Sequence, residues 1–105
     1  MKGEKYKKSG PKPLTKSDQN KLTKIGLAIS ELRSASGESS ESFANKNELG
    51  RTWFGRIERG DLNFKIISFL NLLETLNITP VEFFNEMEEL AKRGADRKKL
   101  ETRKK

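Results

Sequence analysis

The sequence predicts an all-α fold of five short helices flanked by basic termini, on three observations. Apolar residues recur at spacings of three and four, the helical period. Residues that start and stop helices punctuate the chain: Ser39, Gly50, Gly60 and the pair Thr79-Pro80. Charge is unevenly placed although the total is +7: residues 1–24 carry +6, residues 92–105 carry +6, and residues 25–91 carry −5. The expected organisation is therefore a disordered basic arm over 1–16, one folded domain over 17–91 and a basic tail over 92–105.

Composition excludes several classes. The chain has no cysteine, hence no disulfide and no thiolate chemistry, and no histidine, the commonest general base and metal ligand. No catalytic constellation, metal site or cofactor motif is visible, so the reading is of a non-enzyme. No apolar run has membrane-spanning length, and the polar start is not that of a signal peptide. A cytoplasmic, nucleoid-associated location is the expectation.

The first helix is expected over Asp18–Ser34 with Ser17 as its N-cap. Leu22, Ile25, Ile29 and Leu32 form its stripe. Gly26 either weakens the middle, moving the start to Thr23, or admits a closely packed neighbour. Ser34-Ala35-Ser36-Gly37 ends it. The second helix begins after the N-cap Ser39, with Phe43 and Ala44 facing the core. Its free N–H groups suit a phosphate, and the Ser40 hydroxyl either adds a bond there or faces solvent.

The third helix, Arg51–Arg59, buries Phe54 and Ile57 and turns Arg51, Thr52, Gly55, Arg56 and Arg59 elsewhere. Trp53 either packs on a sugar-phosphate edge or lies half-buried beside Phe54. Gly50 caps the helix and Gly60 stops it. In the fourth helix Ile66, Phe69, Leu70, Leu73 and Leu76 form the stripe, widened by Ile67 and Leu72. The fifth opens with Thr79 as cap, Pro80 at the first position and Glu82 completing a capping box. Phe83 is expected in the core. Val81 and Phe84, with Ile67, are either core or a dimer interface. Gly94-Ala95-Asp96 is expected to end or fray the helix, with disorder beyond.

Two short helices joined by a tight turn, the second carrying guanidinium groups outward, fit a helix-turn-helix. Arg51 and Arg56 are the candidates for guanine O6 and N7, because a planar guanidinium matches both acceptors. Thr52 suits a thymine methyl or a phosphate. Ser39, Ser40, Trp53 and Arg59 are the candidates for phosphate or sugar. One such unit presents a single helix to the groove, so a homodimer on double-stranded DNA is expected.

Residues 25–84 resemble the Cro/C1-type (XRE-like) helix-turn-helix family of repressors. The likeness rests on Ile25-Gly26, Glu31-Leu32-Arg33, Gly37, Phe43-Ala44, Arg56-Ile57-Glu58-Arg59-Gly60 and Thr79-Pro80-Val81-Glu82-Phe83-Phe84. It implies a lambda-repressor-like DNA-binding domain, a sequence-specific transcriptional regulator acting by repression, and a structural ion pair between Arg33 and Glu58. It also implies that a basic arm follows the DNA backbone, against the alternative of an inert tail. The sequence departs from the family pattern at Ser40, where Gln is usual, at Asn47, and at Glu48, where the interhelical turn often has Gly. Two other functions stay open: an antitoxin-like module with a protein partner, and a non-specific nucleic-acid adaptor. No membrane partner is expected.

Overall fold

The computed structural model describes the backbone of residues 13–104 and the side chains of residues 13–94. The expected arm over 1–16 lies largely outside the described residues, as do the side chains of most of the expected tail. Among the described residues there are five helices and no strand: α1 (Lys16–Ala35), α2 (Ser40–Lys46), α3 (Arg51–Arg59), α4 (Ile66–Thr75) and α5 (Pro80–Lys104).

Helix α1 starts earlier than its stripe suggests. Its N-cap is Thr15, not Ser17. The Thr15 hydroxyl accepts from the Asp18 N–H at 3.0 Å, and the Asp18 carboxylate accepts from the Thr15 N–H at 3.1 Å. The reciprocal pair satisfies two backbone donors that the first turn leaves free, whereas Ser17 has no matching acid three residues on. The same device opens α5, as expected, with Thr79 and Glu82 exchanging bonds of 3.0 and 3.1 Å. Ser39 caps α2 by accepting from the Ser42 N–H. Gly60 stops α3 in the left-handed region at φ 75, and the Asp61 N–H closes back onto the Arg56 carbonyl at 2.8 Å.

The core gathers one face of every helix: Ala28 and Ile29 of α1, Phe43 and Ala44 of α2, Phe54 and Ile57 of α3, Phe69, Leu72 and Leu73 of α4, and Phe83 of α5. Phe43 and Phe54 meet at 5.2 Å between ring centres, and Phe69 meets Phe83 edge-on at 5.3 Å. Such aromatic pairs contribute about 0.5–1.5 kcal/mol beyond the burial itself. Helix α1 is the hub, packing on α2, α3 and α5, with α4 against α5.

Two expectations need correction, the stripe of α4 and the end of α5. Leu72 is buried while Ile66 and Leu70 are exposed, so α4 is rotated from the expected stripe. A ten-residue helix with six apolar positions presents more than one possible stripe, and packing against Phe83 selects the Phe69–Leu72–Leu73 face. In α5 the core residues are Phe83, Met87 and Leu90, spaced four and three, while Val81 and Phe84 lie outside that line. The expected end at Gly94-Ala95-Asp96 is absent, because α5 continues to Lys104. One glycine costs a helix about 1 kcal/mol, and the strong helix formers Ala95, Arg97, Lys98, Lys99 and Leu100 follow it.

Candidate nucleic-acid interface

Helix α3 is held in place from beneath. Gly26 of α1 lies under its last turn, where an added Cβ would stand 2.5 Å from the carbonyl oxygens of both Ile57 and Glu58. The glycine is there for a close approach of two backbones. At the same end, Gly60 meets Thr23 so closely that a Cβ would lie 2.7 Å from its Cα, and the Gln19 amide donates to the Gly60 carbonyl.

The Arg33–Glu58 pair fastens the second side of this contact. Arg33 Nε donates to Glu58 Oε2 at 2.9 Å and Nη2 to Oε1 at 3.1 Å, a two-pronged contact between side chains 14% and 10% exposed. Arg33 also donates from Nη1 to the Glu38 carbonyl at 2.9 Å. One guanidinium therefore ties α1, the loop that leads into α2, and α3 into a fixed arrangement. Each of its nitrogens is used, which is the condition for a poorly solvated ion pair to be tolerated. The pair also neutralises Glu58 beside the face that carries the arginines.

The turn between α2 and α3 is tight. Leu49 N–H reaches the Ala44 carbonyl at 2.8 Å, and Asn47 Nδ2 donates to the Phe43 carbonyl at 2.9 Å. Glu48 takes φ 59, a left-handed conformation that costs a side-chain-bearing residue about 1 kcal/mol. The chain accepts that cost at the point where the direction reverses.

On the outer side α2 and α3 enclose an open hollow of about 410 Å³, lined by Ser40, Glu41, Arg51, Thr52, Gly55 and Arg59. Arg51, Thr52, Gly55 and Arg59 follow the helical spacing of one face. Arg51 and Thr52 are thus brought together, and Arg59 joins them instead of standing apart. Arg59 Nε reaches Asp61 Oδ2 at 3.2 Å. Arg56 is on a different side, with its guanidinium Nη2 donating to the Asp61 carbonyl at 3.0 Å. Trp53 is half-buried against the core. Ser40 is on the rim of the hollow. Ser39 is next to it, its hydroxyl oxygen already accepting from Ser42.

One participant was not expected from sequence. Glu41 lines the hollow and accepts a hydrogen bond from Arg51 Nη1. Ten residues separate the two in sequence, and only the crossing of α2 and α3 brings them together.

Away from this face a second feature is visible. Ile67, Val81 and Phe84 are 62%, 70% and 44% exposed. Phe84 still touches the aromatic cluster, 5.4 Å from Phe83 and 6.0 Å from Phe69. Among the described residues no group of acidic side chains is placed to hold a metal ion, and no helix is long and apolar enough to cross a membrane.

No protein-family model matches the chain, and no curated protein does. Solved structures match well. The restriction-modification controller protein C.AhdI from Aeromonas hydrophila is 38% identical, over 61% of this chain and 97% of its own, with a TM-score of 0.55. The controller protein C.Esp1396I, solved as a tetramer in complex with its natural 35 base-pair operator, is 31% identical over 65% of this chain and 90% of its own, with a TM-score of 0.58. The wild-type C.Esp1396I structure gives the same identity and TM-score, covering 87% of that chain.

Proposed function

The chain belongs to the restriction-modification controller proteins, and from that premise we propose that it is a Cro/C1-type, sequence-specific DNA-binding regulator of transcription that acts by repression. The observation that carries this reading is the face of α3. Its inner side is fully buried through Phe54 and Ile57, its end is clamped by Arg33–Glu58, and its outer side offers Arg51, Thr52 and Arg59 at an open surface. A rigid helix with exposed guanidinium groups is what the major groove admits.

Within this reading Arg51, in the first turn, contacts a base, and guanine is the partner that matches its two parallel donors. Thr52 beside it meets a thymine methyl or a phosphate. Arg56 lies five residues on, roughly 140° around the helix, so it does not address the same base step. It meets a phosphate or a neighbouring base, its guanidinium in the free protein donating to the Asp61 carbonyl. Arg59 contacts the backbone. Ser39, Ser40 and the half-buried Trp53 flank the groove and meet phosphate or sugar. No catalytic step is assigned.

The protein binds DNA as a dimer within this reading. Two copies related by a two-fold axis place two α3 helices about 34 Å apart, one turn of B-DNA. The exposed apolar residues Ile67, Val81 and Phe84 supply the surface. The C.Esp1396I tetramer on its operator is the parallel for binding as an assembly.

The test is a base-by-base binding profile of Arg51→Ala and Arg59→Ala against wild type. Arg51→Ala is expected to relax preference at one position per half-site by about 1–3 kcal/mol. Arg59→Ala is expected to weaken all sequences about equally and to flatten the salt dependence. An Arg51→Ala profile with lower affinity and unchanged preferences removes Arg51 from the reading role.

A further inference from the structure

Glu41 places a carboxylate on the very surface that the proposed function turns toward DNA. It shares the hollow with Arg51, Thr52 and Arg59. An unpaired carboxylate there repels phosphates and lowers affinity for every duplex. It also adds little to folding, because Glu41 and Arg51 are 64% and 58% exposed and surface ion pairs are weak.

The carboxylate supplies orientation. The Arg51 side chain is long and rotates about several bonds, yet a two-pronged contact to guanine needs its guanidinium plane in one attitude. Glu41 Oε2 takes one end of that group, Nη1, from a neighbouring helix. The two helices are themselves fixed, since the Phe43 and Phe54 rings pack 5.2 Å apart beneath them. Among the described residues the other arginines of α3 are held from a different quarter: Arg56 and Arg59 both bond to Asp61. Only Arg51 is held from α2. A side chain ordered before binding loses less entropy on binding. A guanidinium already engaged by a carboxylate is also a poorer ligand for an arbitrary phosphate.

We propose, on the premise that α3 reads DNA, that Glu41 is a positioning residue for base recognition, holding the Arg51 guanidinium toward one guanine and exchanging general affinity for discrimination. The two effects have opposite signs, which a purely structural role does not produce.

The experiment uses the full chain with Glu41→Gln, Arg51→Ala and the double variant. Binding is measured to a site selected by the wild type, to all its single base-pair variants, and to a random duplex. For Glu41→Gln the expected result is a several-fold gain in random-duplex affinity, a several-fold loss of discrimination at the position Arg51→Ala also relaxes, no change at other positions and an unchanged melting temperature. The double variant should have the Arg51→Ala profile. A Glu41→Gln protein that binds every sequence more tightly with its profile intact overturns the proposal, leaving Glu41 a repulsive charge only. Discrimination lost instead at a position that Arg51→Ala spares also overturns it, since Glu41 then reads a cytosine amino group itself. A wild type that selects no sequence at all refutes the underlying function, and that appears in the wild-type arm before any variant is compared.

Discussion

Gly26, Arg33, Glu48 and Glu58 are the residues on which the placement of α3 depends. Gly26→Ala drives a methyl into two carbonyl oxygens at 2.5 Å, neither of them a flexible group. Overpacking of this kind costs about 1–3 kcal/mol. Chemical denaturation should show that loss, and operator binding should fall further than the stability does, because α3 must tilt to make room. Glu58→Ala leaves the Arg33 guanidinium, only 14% exposed, without its partner, a loss of about 2–4 kcal/mol. Glu48→Gly acts in the other direction. It relieves a left-handed side chain at φ 59 and is expected to stabilise by about 0.5 kcal/mol after the added chain entropy of glycine. These positions differ in how visible they are before folding. The Arg33–Glu58 pair is implied by a family resemblance, since 25 residues separate the partners. Glu48 is flagged by standing where a turn wants glycine. Glu41 carries no signal, because a lone acid at the start of an amphipathic helix is ordinary until its neighbour across the fold is known.

Helix ends are legible where cap and acid stand alone and illegible where two caps compete. Thr79-Pro80 with Glu82 has no rival nearby, and the observed box is the expected one. At α1, Ser17 directly precedes Asp18 and hides the Thr15–Asp18 box three residues apart. That box has a pH signature. The Thr15 N–H, and then its hydroxyl, hold the Asp18 carboxyl below the ordinary aspartate value. A depressed folded value means the stabilisation is complete above the unfolded value and is lost as pH falls through the folded one. Asp18→Asn should therefore lower the melting temperature at neutral pH, with the difference from wild type closing as the pH drops below about 4. A constant gap across that range would assign the effect to the cap geometry alone. Faces are harder to read than ends. Phe83 is fully buried, as expected, but Phe84 beside it, open between core and interface in the sequence, is placed only by the fold: it touches Phe69 and Phe83 with one side and stays 44% exposed.

Across the whole molecule, charge and apolar surface are arranged in separate places. The folded middle is net negative and the two ends together carry sixteen basic residues, so the exposed arginines of α3 form a local basic face on an acidic domain. Lysine ammonium groups neutralise phosphates without reading bases. Removal of residues 1–12, which spares the Thr15 cap of α1, should reduce affinity for operator and random DNA together and lower the salt slope, with the preference between them retained. The exposed Val81 and Phe84 are the proposed surface of assembly. Phe84→Glu is expected to leave helicity unchanged and to convert the protein to a monomer in sedimentation, with operator affinity falling as the second α3 is lost.

Whether α3 reads base sequence in pairs is decided by selection of bound duplexes from a random pool by the wild-type protein. The expected outcome is an enriched site with two-fold symmetry, its half-sites about one helical turn apart and each with a guanine whose preference disappears in Arg51→Ala. A pool that emerges without enrichment, or a single unrepeated half-site bound by a monomer, would contradict it.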